Sequence, residues 1–381
     1  MSGMSVYKQF NKVYKINNPL SNYAFSLFLF IEKLAKQSMA DGITDLFFLS
    51  REGKFLKLLY DNYVSIKGLT SCPRAHYFYL SRKSIMNATL KDLNEEQFKI
   101  LKVYYKLSIK NFLEVLNFSQ DDVEIIEREL HADIKLEYID FFNSDIFKKL
   151  KTNQKFKSVY DSCRIKANEN LHKYLRKSEF LDASKIALVD VGWKGTMQTH
   201  LFNMDICDEL YGYYIGVVSS PDVESKNHKK GLLFHTNSYV HVFAHDCHNY
   251  EYLCVANHGG VCCYDDDGNP VLLNDEDCEL YDDVFSNVQS NVMKKFHMLC
   301  EILKVNKCSE TKLEKYCALQ HSKMINNFSK TEKNILRNAI KKHPDNLINI
   351  SPRKTWKKRL FCIKRFVYMR AQYFKYSFWF L

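Results

Sequence analysis

Residues 44–54, TDLFFLSREGK, pass from an apolar block (Thr44–Leu49) into a polar, glycine-containing turn (Ser50-Arg51-Glu52-Gly53-Lys54). The block is too short for a helix and is bounded by Gly42 and Ser50, so it predicts a buried strand. Lys54 to Tyr63 returns to helical spacing, and Arg74–Leu80 (RAHYFYL) repeats the strand signal. A helix lying between two strands predicts a βαβ unit, since parallel strands need such a crossover. These 37 residues therefore set the class as α/β with a parallel sheet.

The flanking sequence extends this pattern. Upstream, Ser21–Lys36 is apolar almost all round (Phe25, Leu27, Phe28, Leu29, Phe30, Ile31, Leu34), which predicts a buried helix ending before the Asp41-Gly42 turn. Downstream, residues 91–180 contain no Gly or Pro and show repeated helical spacing, which predicts a helical insertion. The sheet is expected to resume at Lys185–Val189, with a Gly-containing turn and a helix from about Gly195, and again at Leu210–Val218. Segments 231–236 and 260–264 are expected as edge strands, and helices return from Tyr281 to about Lys341. The expected organisation is a first half of the α/β core (1–90), the insertion (91–180), a second half with a phosphate loop (181–275), a helical segment (276–350) and a basic aromatic tail (351–381).

The chain has 381 residues, 46% hydrophobic and 26% charged, with only 12 Gly and 6 Pro, so collagen-like and low-complexity classes are excluded. Its apolar runs reach about five residues, far short of the roughly twenty that span a bilayer. The N-terminus MSGMSVYKQFNKVYK carries no apolar signal core, and the twelve cysteines are scattered without a CxxC pair, so a cytoplasmic protein with reduced thiols is expected. Nine Lys and Arg with no acid lie between Ser351 and Leu381, leaving +2 of the net +11 for residues 1–350. That tail is also rich in Phe, Tyr and Trp. It suits an amphipathic segment on the anionic inner face of a membrane, with single-stranded nucleic acid or simple packing on the body as competing readings. The expectation is peripheral inner-membrane attachment and no nucleic acid.

Ligands of open α/β sheets bind beyond the carboxyl ends of strands, and three strand ends here carry chemistry. Ser50, Arg51, Glu52, Gly53 and Lys54 combine a tight turn with two cations at a helix start, which suits an anion, although an ordinary polar turn has the same composition. Ser81-Arg82-Lys83-Ser84 places two cations after the second strand, either facing an anion or as solvated residues behind an N-cap at Ser81. ALVDVGWKGT (187–196) runs into a single carboxylate, Asp190, and then a turn of Gly192, Trp193, Lys194, Gly195 and Thr196, which reads as a phosphate nest or as a tight structural turn. It has neither the GxxxxGK[ST] nor the GxGxxG pattern of nucleotide-binding loops.

Together, LFFLSREGK, HYFYLSRKS and ALVDVGWKGTMQ resemble a region of bacterial polysaccharide-cluster proteins described as predicted haloacid-dehalogenase-superfamily hydrolases. No DxDx[TV] nucleophile motif occurs in this chain, so the phosphatase activity is not carried over. The shared segment, about 40–90 and 180–275, is similar to a type I phosphoribosyltransferase core of the glycan-modifying kind. That resemblance implies an α/β, type I phosphoribosyltransferase-like parallel sheet with a helical insertion and C-terminal helices. It also implies a glycosyltransferase of O-antigen or capsule assembly that moves phosphoribose from magnesium-bound 5-phosphoribosyl diphosphate to a glycan or lipid-linked glycan, with a separate phosphatase acting afterwards. By the same resemblance, Ser50–Lys54 would meet the diphosphate, Arg82 and Lys83 would neutralise it, Asp190 would hold the ribose hydroxyls, and Gly192–Thr196 would bind the 5-phosphate. The chain departs from the usual pattern in one respect: Val189 and Val191 flank a lone Asp190 where two adjacent acids are typical. A hydrolase, or a non-catalytic scaffold of a polysaccharide complex, is the alternative.

Glu251 and His258-Gly259 match a further stretch of the same proteins, a Glu followed by His-Gly. Either side chain could accept the acceptor's proton, with Glu251 the preferred base. Asp265–Pro270 reads as a polar turn, since the later ligands of a calcium loop are missing. His241 and His245 have i, i+4 spacing, with His248 and Asp246 nearby, but without HEXXH the segment reads equally well as a strand, and no protein-held metal is expected.

Overall fold

The chain is described by a computed structural model over residues 6–104, 106–218, 226–235, 242–273 and 276–342. The basic tail 351–381 and His241 lie outside the described residues. Helices α1 (Val6–Tyr14) and α2 (Ala24–Ala40) precede β1 (Asp45–Leu49), α3 (Gly53–Lys67), β2 (Arg74–Phe78) and α4 (Arg82–Ala88). The insertion follows: an antiparallel pair, β3 (Lys106–Ser108) and β4 (Glu137–Ile139), among α5 (Ile109–Val115), α6 (Gln120–Leu130), α7 (Asp145–Thr152) and α8 (Gln154–Lys177). Then come β5 (Ile186–Asp190), α9 (Thr196–Phe202), β6 (Leu210–Val217), β7 (Asn227–His235), α10 (His248–Leu253) and the hairpin β8 (Val261–Tyr264) and β9 (Pro270–Leu272). Helices α11 (Glu276–Leu280), α12 (Ser286–Val305), α13 (Glu310–Asn326) and α14 (Lys330–Lys342) complete the described chain.

Five strands form one parallel sheet in the order β2-β1-β5-β6-β7. Counting these strands alone, the order is 2-1-3-4-5, a doubly wound arrangement whose direction reverses between β1 and β5. Both of those strands are buried along their whole length. Their alternate residues feed two cores, as the two-residue strand period requires. Leu46, Phe48, Ala187 and Val189 pack with α2, α3, α12 and α13, whereas Phe47, Leu49, Ile186 and Leu188 face Ile85, Leu171, Leu175 and Leu201 of α4, α8 and α9. Each such fully buried Leu or Phe contributes ~1.5–3 kcal/mol. A third apolar cluster, centred on Phe98, Phe112, Phe147 and Phe156, lies within the insertion.

The differences from the sequence expectations have local causes. α2 begins at Ala24, because Leu20 takes a left-handed backbone and Ser21–Tyr23 forms a 3-10 turn. β7 starts at Asn227, four residues before the expected strand. Its polar NHKKG stretch is only partly buried, as befits the outer strand of the sheet. Segment 260–264 is not an edge of the main sheet: β8 pairs with β9 in a separate hairpin. Its turn is the polar one expected, with Asp265 Oδ1 accepting from the amides of Asp267 (3.0 Å) and Asn269 (2.7 Å). No helix of the described residues is long and apolar enough to cross a membrane.

Candidate functional site

Register brings two of the three quoted turns together. Phe48 pairs with Val189, so the residues after Leu49 emerge level with Asp190, at the point where the sheet reverses. Ser50 closes the first turn structurally: its amide donates to Phe78 O (2.9 Å) and its hydroxyl to Leu80 O (3.1 Å), which ties the ends of β1 and β2. The peptide bonds Ser50–Arg51 and Gly192–Trp193 are both cis. Glu52 accepts from the Arg51 amide (3.1 Å) and lies 3.7 Å from the Arg51 guanidinium. Gly53 has a packing reason of its own, because a Cβ there would stand 2.6 Å from the Phe48 carbonyl carbon, so only glycine lets α3 start this close to β1. The Lys54 ammonium donates to Asn257 Oδ1.

Asp190 ends β5 almost fully buried, with Oδ1 accepting from the Val191 amide at 2.8 Å. Burial holds its carboxyl well above the ordinary range, and the negative charges of Glu52 and Glu251 push the same way, while the Val191 amide and Arg82 oppose them. Three carboxylates from distant parts of the sequence thus share one field at the strand ends.

The Gly192–Thr196 turn is held from the carbonyl side. Val191 O accepts from Gly216 N (3.2 Å) and Trp193 O from Val218 N (2.9 Å), extending the pairing with β6 beyond the end of β5. Gly192 has φ +139° and lies against Gly216 O, and Gly195 has φ +62° beside Tyr214 and Lys229, so both positions call for glycine. The amides of Gly192, Trp193, Lys194 and Gly195 donate to no acceptor among the described residues. Unspent backbone N–H groups at a glycine-rich turn are the ingredients of an anion-binding concavity. Lys194 is exposed, and Thr196 opens α9.

The segment around α10, from Asp246 to Gly259, closes over these ends. Trp193 Nε1 donates to Glu251 Oε1 (2.7 Å), its indole stacks on Phe234 (5.7 Å between centroids), and His248 lies 3.7 Å from the other Glu251 oxygen. His258 Nε2 meets the Tyr77 hydroxyl at 2.7 Å and Nδ1 meets Gly259 O at 2.8 Å. Because a carbonyl only accepts, Nδ1 carries the proton and Nε2 accepts from Tyr77. His258 is thereby fixed to β2, whereas Glu251 is held by Trp193 and lies beside His248. Gln289 Nε2 donates to Leu253 O (2.9 Å) and Val255 O (2.8 Å), and buried Asp246 accepts from Tyr23 and from His321 Nε2 (2.8 Å), so the whole segment is bolted to the helical layer.

The remaining predicted residues fall differently. Ser81 caps α4 in a reciprocal box with Ser84, leaving Arg82 exposed with no hydrogen bond or ion pair among the described residues. Lys83 turns toward the insertion, donating to Glu114 O (3.2 Å). Among the described residues no group of three or more His, Cys, Asp or Glu is placed to hold a metal ion, His245, His248 and Asp246 included. Sequence reasoning missed Tyr77, Gln198 and Lys229. Gln198 is fully buried and bonds Asn227, His228, Leu210 and Tyr214, holding α9 against β6 and β7. Lys229, pulled down to about 8 by burial, reaches Thr199 beneath the same turn (2.7 Å). No periodicity marks these three, because their partners lie in other elements.

The fold and site define a doubly wound α/β protein with a polar site at its topological switch point. Compared with known proteins, the chain matches neither a protein-family profile nor a curated protein sequence.

Proposed function

We propose that this chain is a glycan phosphoribosyltransferase with a type I phosphoribosyltransferase-like core, transferring phosphoribose from 5-phosphoribosyl diphosphate to a glycan or lipid-linked glycan during surface-polysaccharide assembly. The observation that carries the reading is the convergence, at one end of the sheet, of a buried carboxylate (Asp190) and a turn with four unspent amides (Gly192–Gly195). The amides suit the 5-phosphate. Asp190 suits the ribose hydroxyls as a buried carboxyl at the strand end, and burial raises its titration above the ordinary range. Arg51 and Arg82 supply the positive charge that a departing diphosphate needs, and Glu251, oriented by Trp193, would take the proton from the acceptor hydroxyl. Magnesium is assigned to the donor's diphosphate, where it would screen the leaving oxygens, rather than to a cage of protein ligands. The membrane-facing tail and a downstream phosphatase belong to the same proposal.

Calorimetric titration with magnesium and 5-phosphoribosyl diphosphate tests it. Magnesium-dependent binding to the wild type that disappears in Asp190→Asn is expected, and no binding by the folded wild type would refute the donor assignment.

A further inference from the structure

Two segments of the chain mirror each other in charge. Residues 265–283 (DDDGNPVLLNDEDCELYDD) hold nine acids and no base, whereas residues 351–381 hold nine bases and no acid. Three of the acids belong to the β8–β9 turn, where Lys166 and Lys173 of α8 meet the Asp266 carboxylate and carbonyl, both at 2.7 Å. The other six follow β9, and Glu279, Asp282 and Asp283 among them are exposed. Val271, Leu272 and the next residue, Leu273, are 42%, 38% and 42% exposed. Successive strand residues point to opposite faces, so β9 is open on both. It pairs only with β8 among the described residues, which leaves its outer edge without a strand. Apolar edges of this kind are ordinarily covered, because they are sites of adhesion otherwise. The chain's own course leads there: α14, with five Lys or Arg against one acid, packs on α11, which begins four residues after β9. Only the eight residues 343–350 separate the end of α14 from the tail, and eight residues reach up to about 26 Å.

We propose that β9 and the acidic segment behind it are a docking surface for the chain's own C-terminal tail, residues 351–381. The tail's cations meet Glu279, Asp282 and Asp283, and some of its ten aromatic side chains cover Val271, Leu272 and Leu273. A segment that is both basic and aromatic needs a counterpart that is both anionic and apolar, and this surface supplies the two side by side. The inference goes beyond the membrane reading of the tail. The same cations cannot meet these acids and lipid headgroups at once, so a docked tail is held off the bilayer and anionic lipid competes for it.

Hydrogen–deuterium exchange of the full chain at low ionic strength, read on peptides covering 270–283, tests the docking. Reversing the tail's charge (Lys354→Glu, Lys357→Glu, Lys358→Glu and Arg359→Glu together) should speed exchange there by about tenfold or more while β5 exchanges as in wild type. Reversing the surface (Glu279→Lys, Asp282→Lys and Asp283→Lys together) should do the same, and combining the two sets should restore slow exchange. Carbodiimide coupling of the wild type should join tail lysines to Glu279, Asp282 or Asp283 within one chain. Exchange unchanged by the tail reversal would overturn the proposal and leave lipid as the tail's anionic partner. A combination no slower than either set alone would overturn it too. Couplings found only between isotopically labelled and unlabelled copies would overturn it by assigning the surface to a second copy's tail. Partition onto phosphatidylglycerol vesicles is measured separately, so the membrane reading stands or fails by itself.

Discussion

Replacing Gly192 by alanine tests the turn that follows Asp190 without presuming any ligand. The added Cβ would stand 2.3 Å from Gly216 O, an atom of β6 that cannot rotate aside, and 3.4 Å from the Gly216 carbonyl carbon. A contact at that distance forces the backbone of one strand end to move, and overpacking of this kind costs about 1–3 kcal/mol. Gly192 also holds φ +139°, where a side chain adds about 1–3 kcal/mol of strain. The two together predict a loss of about 2–6 kcal/mol, a large part of the 5–15 kcal/mol typical of folded domains.

Equilibrium urea unfolding followed by circular dichroism measures that loss, and Gly260→Ala supplies the control. A Cβ at Gly260 meets only Leu273 Cδ1 at 3.9 Å, an ordinary contact, so its midpoint should stay within about 0.5 kcal/mol of wild type. Gly192→Ala should lower the midpoint by about 1 M or more. If the two variants unfolded together, the close approach of the turn to β6 would be wrong, and with it the geometry that leaves the turn's amides free.

Asp190→Asn should lose donor binding yet gain stability. Because the folded carboxyl titrates above its unfolded value, the wild type loses stability as pH rises from about 4 toward that higher value. The urea midpoint of Asp190→Asn should therefore overtake the wild type between pH 4 and pH 7.5, and a gap that does not widen would refute the burial argument. Trp193→Phe keeps the stack on Phe234 but removes the donor to Glu251, a charge-assisted bond of about 1.5–3 kcal/mol. Transfer should fall tenfold to a hundredfold with the acid limb of its pH profile moved upward, whereas an unmoved profile would leave Trp193 as packing alone. Lys295→Met removes an amine that is 1% exposed and pulled down to about 8 by burial, at the cost of leaving Asn22 unpaired. The variant should be more stable than wild type at pH 7 by on the order of 1–2 kcal/mol. That advantage should shrink as pH rises from about 8 to 10.5, and denaturation at both pH values would show it.

The sheet was legible where short apolar blocks end at glycine or serine. TDLFFL and IALVD are buried on both faces, and their lack of alternation marks central strands. β3 and β4 were not legible, because three residues each cannot display a period against the helical spacing around them. Of the site, the turns after β1 and β5 could be read because glycine and charge cluster there. The pairings that finish it could not: Trp193 meets Glu251 across 58 residues, and Tyr77 meets His258 across 181. Such contacts are decided by which strands become neighbours, and local composition carries no record of that.

The same topology accounts for the mixed charge of the site. Glu52 leaves β1, Asp190 ends β5 and Glu251 arrives on α10, so three acids meet only because the sheet reverses direction between β1 and β5. An acid group of this kind repels a bare phosphate, while the Gly192–Gly195 amides a few residues away attract one. Both demands are met by a ligand with phosphate at one end and hydroxyls at the other, each set facing its own side of the Asp190 turn. A simple phosphate would gain the amides but offer the acids no hydroxyls to bind. Inorganic phosphate should accordingly bind far more weakly than a ribose 5-phosphate, and equal affinities for the two, measured by competition, would leave Asp190 without a role in recognition.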